Sequence, residues 1–221
     1  MDGTTTTVII LIFVFSILGA VTGRHPQVVK PKTYVSPTAS SYEPYGRPYD
    51  TSSTYSQVDP ANIPGYMFGA GYAEGVGEAM KKFILSYAKK VEAWEAHNIS
   101  ESIIKYSQKY DVNPKLVCAL IARESRFIRF AVSSSGAQGL GQLLPSTAAE
   151  LGVSDAFDID QNVMGTSRYL RSLLDRFSGT QKVTFALAGY LEGPNIIRER
   201  GSFKASSKRY IEDIYGIYAK I

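Results

Sequence analysis

The chain has 221 residues, a formal charge of +4, a pI near 9.0, two histidines and one cysteine. A single cysteine excludes an internal disulfide, and the scarcity of His and Cys argues against a zinc site. The excess base lies beyond residue 100 and suits an anionic partner such as wall polymer, nucleic acid or lipid head groups. Nothing else in the sequence supports a nucleic-acid role.

Residues 8–22 are almost continuously apolar, from Val8-Ile9-Ile10-Leu11-Ile12-Phe13 to Ile17-Leu18. The run is short for a spanning helix, which needs about 20 residues, unless the flanking threonines extend it. Residues 1–23 therefore read as an export signal with a cleavage site near Val21-Thr22-Gly23, or as a retained membrane anchor. The usual basic residues before the run are missing, which tips the reading toward the anchor; Arg24, Lys30 and Lys32 come after it, and by the charge-bias rule they favour leaving the following segment on the cytoplasmic side. Residues 24–64 are rich in Pro, Ser, Thr and Tyr and poor in aliphatic side chains, so they are expected to form a disordered linker.

A Gly-rich segment with aromatics begins at residue 65. Glu78 to Ala96 reads as one amphipathic helix carrying Met80, Phe83, Ile84, Tyr87, Val91 and Trp94, packed on the domain C-terminal to it. Residues 65–99 are thus a supporting segment, and residues 100–221 a run of helices with short turns. Ser100-Glu101 is expected to start one helix. Asn113-Pro114 starts the next, with a capping residue and then Pro at the first helical position. That helix carries Leu116, Val117, Leu120, Ile121 and Glu124. Cys118, among Val117, Ala119 and Leu120, reads as a small core residue rather than a nucleophile.

Val117, Ile121 and Glu124 fall at i, i+4 and i+7, so a carboxylate shares the apolar face. A glutamate there pairs with a core arginine or is protonated at a raised pKa, as a general acid requires. The stretch from Ala131 to Gln142 holds Gly136, Gly139 and Gly141 among small polar residues. It cannot be a regular helix, and it lets backbone approach a ligand closely. Pro145-Ser146-Thr147-Ala148 then opens another helix.

These residues resemble soluble-type lytic transglycosylases, relatives of goose-type lysozyme. The match runs through Glu124-Ser125, Phe127, Ala131, Ser133, Gly136-Ala137, Gly139-Leu140, Gln142, Pro145 and Thr147-Ala148. It continues through Asp158, Asn162, Gly165, Tyr169-Leu170, then Ala186 to Tyr190, Gly193-Pro194, and Tyr210-Ile211. The resemblance covers about residues 100–221. It implies an all-α, lysozyme-like domain that cleaves the β-1,4 bond between N-acetylmuramic acid and N-acetylglucosamine in peptidoglycan, without metal or cofactor. Glu124 would be the single acid and base, forming a 1,6-anhydro product, unlike the two-carboxylate scheme of most glycosidases. Ser133 and Gln142 would bond the sugars or hold Glu124, and Tyr190 and Tyr210 would orient groups beside it.

Two departures stand out. Gly141 replaces the family's Met, which removes an apolar wall of the groove. Leu191-Glu192 replace its Asn-Ala, and Glu192 is either a solvent-facing glutamate at a loop or a carboxylate near the groove that positions a water and turns the reaction toward hydrolysis. An enzyme of this kind works outside the cytoplasm, reaching the wall from a membrane through residues 8–22, in a virion or a secretion or conjugation complex. The rival readings are a muramidase that adds water and a catalytically weak wall-binding component.

Overall fold

The computed structural model describes residues 70–221. The apolar run at 8–22, the linker at 24–64 and the start of the Gly-rich segment lie outside the described residues. Among the described residues there are eight helices and no strand. They are α1 (Ala70–Tyr87), α2 (Ala93–Tyr110), α3 (Pro114–Ser125), α4 (Pro145–Glu150), α5 (Ile159–Arg176), α6 (Lys182–Glu192), α7 (Pro194–Arg200) and α8 (Ala205–Tyr218). Among the described residues, no helix is long and apolar enough to cross a membrane.

α3 is the central helix. Asn113 caps it, accepting from the N–H groups of Lys115 (2.9 Å) and Leu116 (3.3 Å), and Pro114 occupies its first turn. Every residue from Leu116 to Ala122 is buried, so this helix is covered on all sides rather than along one stripe. α8 packs along it through Tyr210, Ile211 and Ile214, and Asn113 donates to the Tyr218 hydroxyl at 3.2 Å.

The helix expected over Glu78 to Ala96 is two helices. α1 begins earlier, ends at Tyr87, and seats Met80 and Ile84 in the main core. The chain then breaks across residues 88–92, and the N–H of Glu92 donates to the Glu95 side chain (3.3 Å), closing the start of α2. Two successive helices facing one core carry one apolar periodicity, which in sequence looks like a single helix. Trp94 is in fact largely exposed. Position 100 lies inside α2 and starts nothing. The Ser100 hydroxyl bonds back to the His97 carbonyl (2.9 Å), which suits a serine to a helix interior.

α2 and α5 pack side by side. Asp160, in the first turn of α5, accepts from Ser102 (3.3 Å), Lys105 (2.9 Å) and Tyr106 (2.5 Å) of α2. A smaller apolar cluster of Leu143, Ala148, Leu151, Val153 and Ala156 lies under the loop region between α3 and α5. The Ala131 to Gln142 stretch is non-helical, as expected. It is drawn together by isolated antiparallel bridges, Val132 to Gln138 and Gln138 to Leu143.

Candidate active site

The end of α3 turns abruptly. Arg126 and Phe127 both adopt left-handed backbone conformations, at φ 53° and 61°. Such residues cost on the order of 1–2 kcal/mol each. The Phe127 ring offsets this by full burial, edge-on to Phe83 and Tyr87 of α1. The turn leaves Glu124 half-buried in the last turn of α3. Among the described residues it makes no ion pair. The neighbouring Arg123 pairs with Asp213 of α8 (2.9 Å) and lies over the Tyr210 ring. Glu124 instead accepts a short hydrogen bond from the hydroxyl of Tyr210.

Burial pushes the Glu124 carboxyl above the usual carboxylate range, while the Tyr210 hydrogen bond and Arg123 restrain the rise. The two phenols nearby are held well above their ordinary range, by burial first and by the Glu124 charge second. Tyr210 is therefore a hydrogen-bond donor at any physiological pH. Cys118 is fully buried, and burial pushes its thiol far up, so it is not poised as a nucleophile.

The loop facing this site is held by one buried amide. Asn162, on α5 and 1% exposed, donates to the carbonyls of Ala156 (2.7 Å) and Gln138 (3.2 Å). Its oxygen accepts from Gly141 N–H (2.7 Å). The Gly141 carbonyl accepts from the Tyr190 hydroxyl at 2.8 Å. Both polar groups of the Gly141 backbone are thus fixed by helices behind it. Gly139 needs to be glycine on two counts: its φ is 75°, and a Cβ would lie 2.0 Å from the Ala156 carbonyl oxygen. Asn162 belongs to the sequence motif, but only its burial and its three bonds to backbone reveal its role.

The remaining expected site residues divide. Tyr210 meets Glu124, and Tyr190 meets the loop backbone. Gln142 sits at φ 51° with its amide nitrogen donating to Ala131 O (3.1 Å) and Gly139 O (3.0 Å), so it braces the loop. Ser133 is occupied with its own turn: its hydroxyl accepts from Ala137 N–H (3.0 Å) and lies 2.9 Å from the Ser135 hydroxyl. Neither side chain bonds Glu124. The missing wall expected at Gly141 is also corrected. A Cβ there would fall 1.9 Å from Thr166 Oγ1, so the space is already filled by α5. Glu192 is corrected in turn. Its carboxylate turns to the C-terminal helices, binding Arg200 (2.7 Å), the N–H of Lys204 (2.9 Å) and the Ser207 hydroxyl.

The model of the Transglycosylase SLT domain family matches residues 101–212, 112 residues and just over half of the chain. The chain belongs to this family. The SLT chain is 37% identical over 110 residues to the transglycosylase of Enterobacteria phage PRD1, covering 50% of this chain and 39% of the relative. It is 37% identical over 101 residues to the membrane-bound lytic murein transglycosylase F of Desulfosudis oleivorans, covering 44% and 22%. The Vibrio cholerae protein of the same description is 40% identical over 90 residues, covering 39% and 17%. The chain thus spans well under half the length of these relatives. Among solved structures, an inactive variant of lytic transglycosylase Slt from Pseudomonas aeruginosa aligns with TM-score 0.49 at 18% identity, covering 70% of this chain and 30% of that one.

Two outcomes are expected of the SLT domain. Gly141→Met should cost about 1–3 kcal/mol in denaturant unfolding, from overpacking against Thr166. Thr166→Ala in the same background should return part of it. Glu124→Gln should raise the Tm at neutral and alkaline pH, by roughly 2–4 °C for each kcal/mol recovered. The sign comes from the raised folded-state pKa: the ionised form is the one that burial penalises. The gain should disappear in acid, where the parent carboxyl is already neutral.

Proposed function

We propose that this domain is a peptidoglycan lytic transglycosylase that cleaves the β-1,4 bond between N-acetylmuramic acid and N-acetylglucosamine. The observation that carries the reading is one half-buried glutamate of raised pKa, unpaired with any cation among the described residues and hydrogen-bonded by a tyrosine. It sits in a domain of the SLT family. Tyr210 donates to Oε1, so the acidic proton belongs on Oε2. That proton passes to the glycosidic oxygen as its bond to the muramoyl C1 breaks. The substrate's acetamido oxygen bonds C1 and holds its positive charge. The C6 hydroxyl then attacks C1, displaces the acetamido oxygen and returns its proton to Glu124. The product is a 1,6-anhydro sugar, no water is consumed, and one carboxylate serves both steps.

Tyr190 and Gln142 act through the loop. Their bonds to the Gly141, Ala131 and Gly139 carbonyls set the shape of the loop, and Ser133 shapes the adjoining turn. The substrate requires action outside the cytoplasm. The phage origin of one relative and the membrane-bound description of others support a domain tethered by residues 8–22 and carried by a virion or an envelope-crossing complex.

Digestion of purified wall by the full chain should release muropeptides lighter by one water than the hydrolysis products. Hydrated products alone would instead establish a muramidase, and no release would leave a wall binder. Glu124→Gln should lower turnover by about 10²–10⁴-fold. The rate should fall as pH rises through the Glu124 pKa, because the acid must start protonated. Tyr210→Phe removes a bond that favours the ionised form, so it should move this alkaline limb to higher pH while lowering kcat. An unmoved limb would count against the pairing.

A further inference from the structure

Glu192 stands where the family resemblance leads one to expect a small residue, yet its carboxylate is held from three directions. Its side chain is 7% exposed. It closes α6, and its three partners come from the next two elements. Arg200 is the last residue of α7. Lys204 immediately precedes α8, and Ser207 lies in the first turn of α8. α8 has no capping side chain of its own. A carboxylate reaching in from α6 satisfies the Lys204 N–H and places negative charge at the positive end of the helix. Burial alone would push the Glu192 carboxyl up. Ser207, the Lys204 N–H and Arg200 together hold it at about 2, so it is ionised throughout the working range.

Ser207 and Tyr210 are three residues apart on α8 and share one buried face. The hydroxyl that Glu192 grips is therefore one turn from the hydroxyl that donates to Glu124. We propose that Glu192 is a positioning residue: by fixing the start of α8 from the end of α6, it sets the reach of Tyr210 and holds its hydroxyl against Glu124. The inference rests on Glu124 as the acid and base. The groups facing Glu124 are Arg123 on its own helix, Tyr210 on α8 with Asp213 behind Arg123, and Tyr190 on α6. Substitution at 192 adds or removes none of these groups, so a change in the Glu124 titration reports a change in their placement.

The test tracks the Glu124 carboxyl by carbon NMR titration in the full chain, beside kcat and KM on purified wall. Glu192→Ala should lower kcat by about 10- to 100-fold with little change in KM, as expected for misplaced catalytic geometry. It should also move the Glu124 titration in the direction set by Tyr210→Phe. Adding Glu192→Ala to Tyr210→Phe should produce no further shift, since the contact is already gone. Glu192→Gln keeps an acceptor for Lys204 and Ser207 and should fall between parent and alanine. Where Glu192→Ala does not fold, Ser207→Ala and Glu192→Gln carry the same comparison. A Glu124 titration identical to the parent, or a shift fully additive with Tyr210→Phe, overturns the proposal. The titration needs no turnover, so it answers even if Glu124→Gln proves the acid-base reading wrong.

Discussion

One hydrogen bond between two helices governs this site: the Tyr210 hydroxyl of α8 donating to the Glu124 carboxyl of α3. Burial alone makes a carboxyl a weak acid, since the charged form loses its solvation. Under the proposed reaction the same group must give up a proton and take it back, so its pKa cannot be driven too far in that direction. The phenol supplies the counterweight, because it stabilises the anion that remains after the proton has left. With Arg123 turned away toward Asp213, the balance at Glu124 rests mostly on desolvation and one neutral donor. A neutral donor tunes the group without fixing it in one protonation state, as a close cation would.

That arrangement depends on holding parts that are far apart in sequence. The loop after α3 has no regular secondary structure; Phe127, Leu140 and Leu143 anchor it in the core, but its serines and glycines leave the backbone between these anchors free to take many shapes. Its order comes from behind. Asn162 bonds three backbone groups from a buried position, and Tyr190 takes the carbonyl that Asn162 does not reach. A buried amide with its partners satisfied specifies a single geometry, because any alternative leaves polar groups unpaired in a low-dielectric interior. The glycines at 139 and 141 are consequences of that closeness. They exist where another element already occupies the volume of a side chain.

The polar residues thus serve two ends. Some, such as Asn162, Gln142 and Ser133, hold the loop by bonding its backbone. Others, such as Tyr210, reach the acid directly. Glu192 lies outside both sets, gathering the last three helices, and so connects the packing of the C-terminal region to the position of one hydroxyl.

The sequence alone determined a good deal. The cap at Asn113-Pro114, the apolar helix carrying Glu124 and the glycine pattern from 136 to 141 are local signals with local physical causes, and the structure holds each of them. The all-α character and the family were legible for the same reason: they depend on spacing along the chain. What the sequence could not settle were matters decided by distance in space. Periodicity alone could not separate α1 from α2, since two helices facing one core share one pattern. It could not show that Thr166 fills the space beside Gly141, or that Glu192 turns to Ser207 and Arg200 instead of the groove. Nor could it choose between an arginine and a tyrosine as the partner of Glu124. Those outcomes depend on which residues meet once the helices have packed, and partners 8 to 86 positions apart on different helices leave no periodic trace in a single chain.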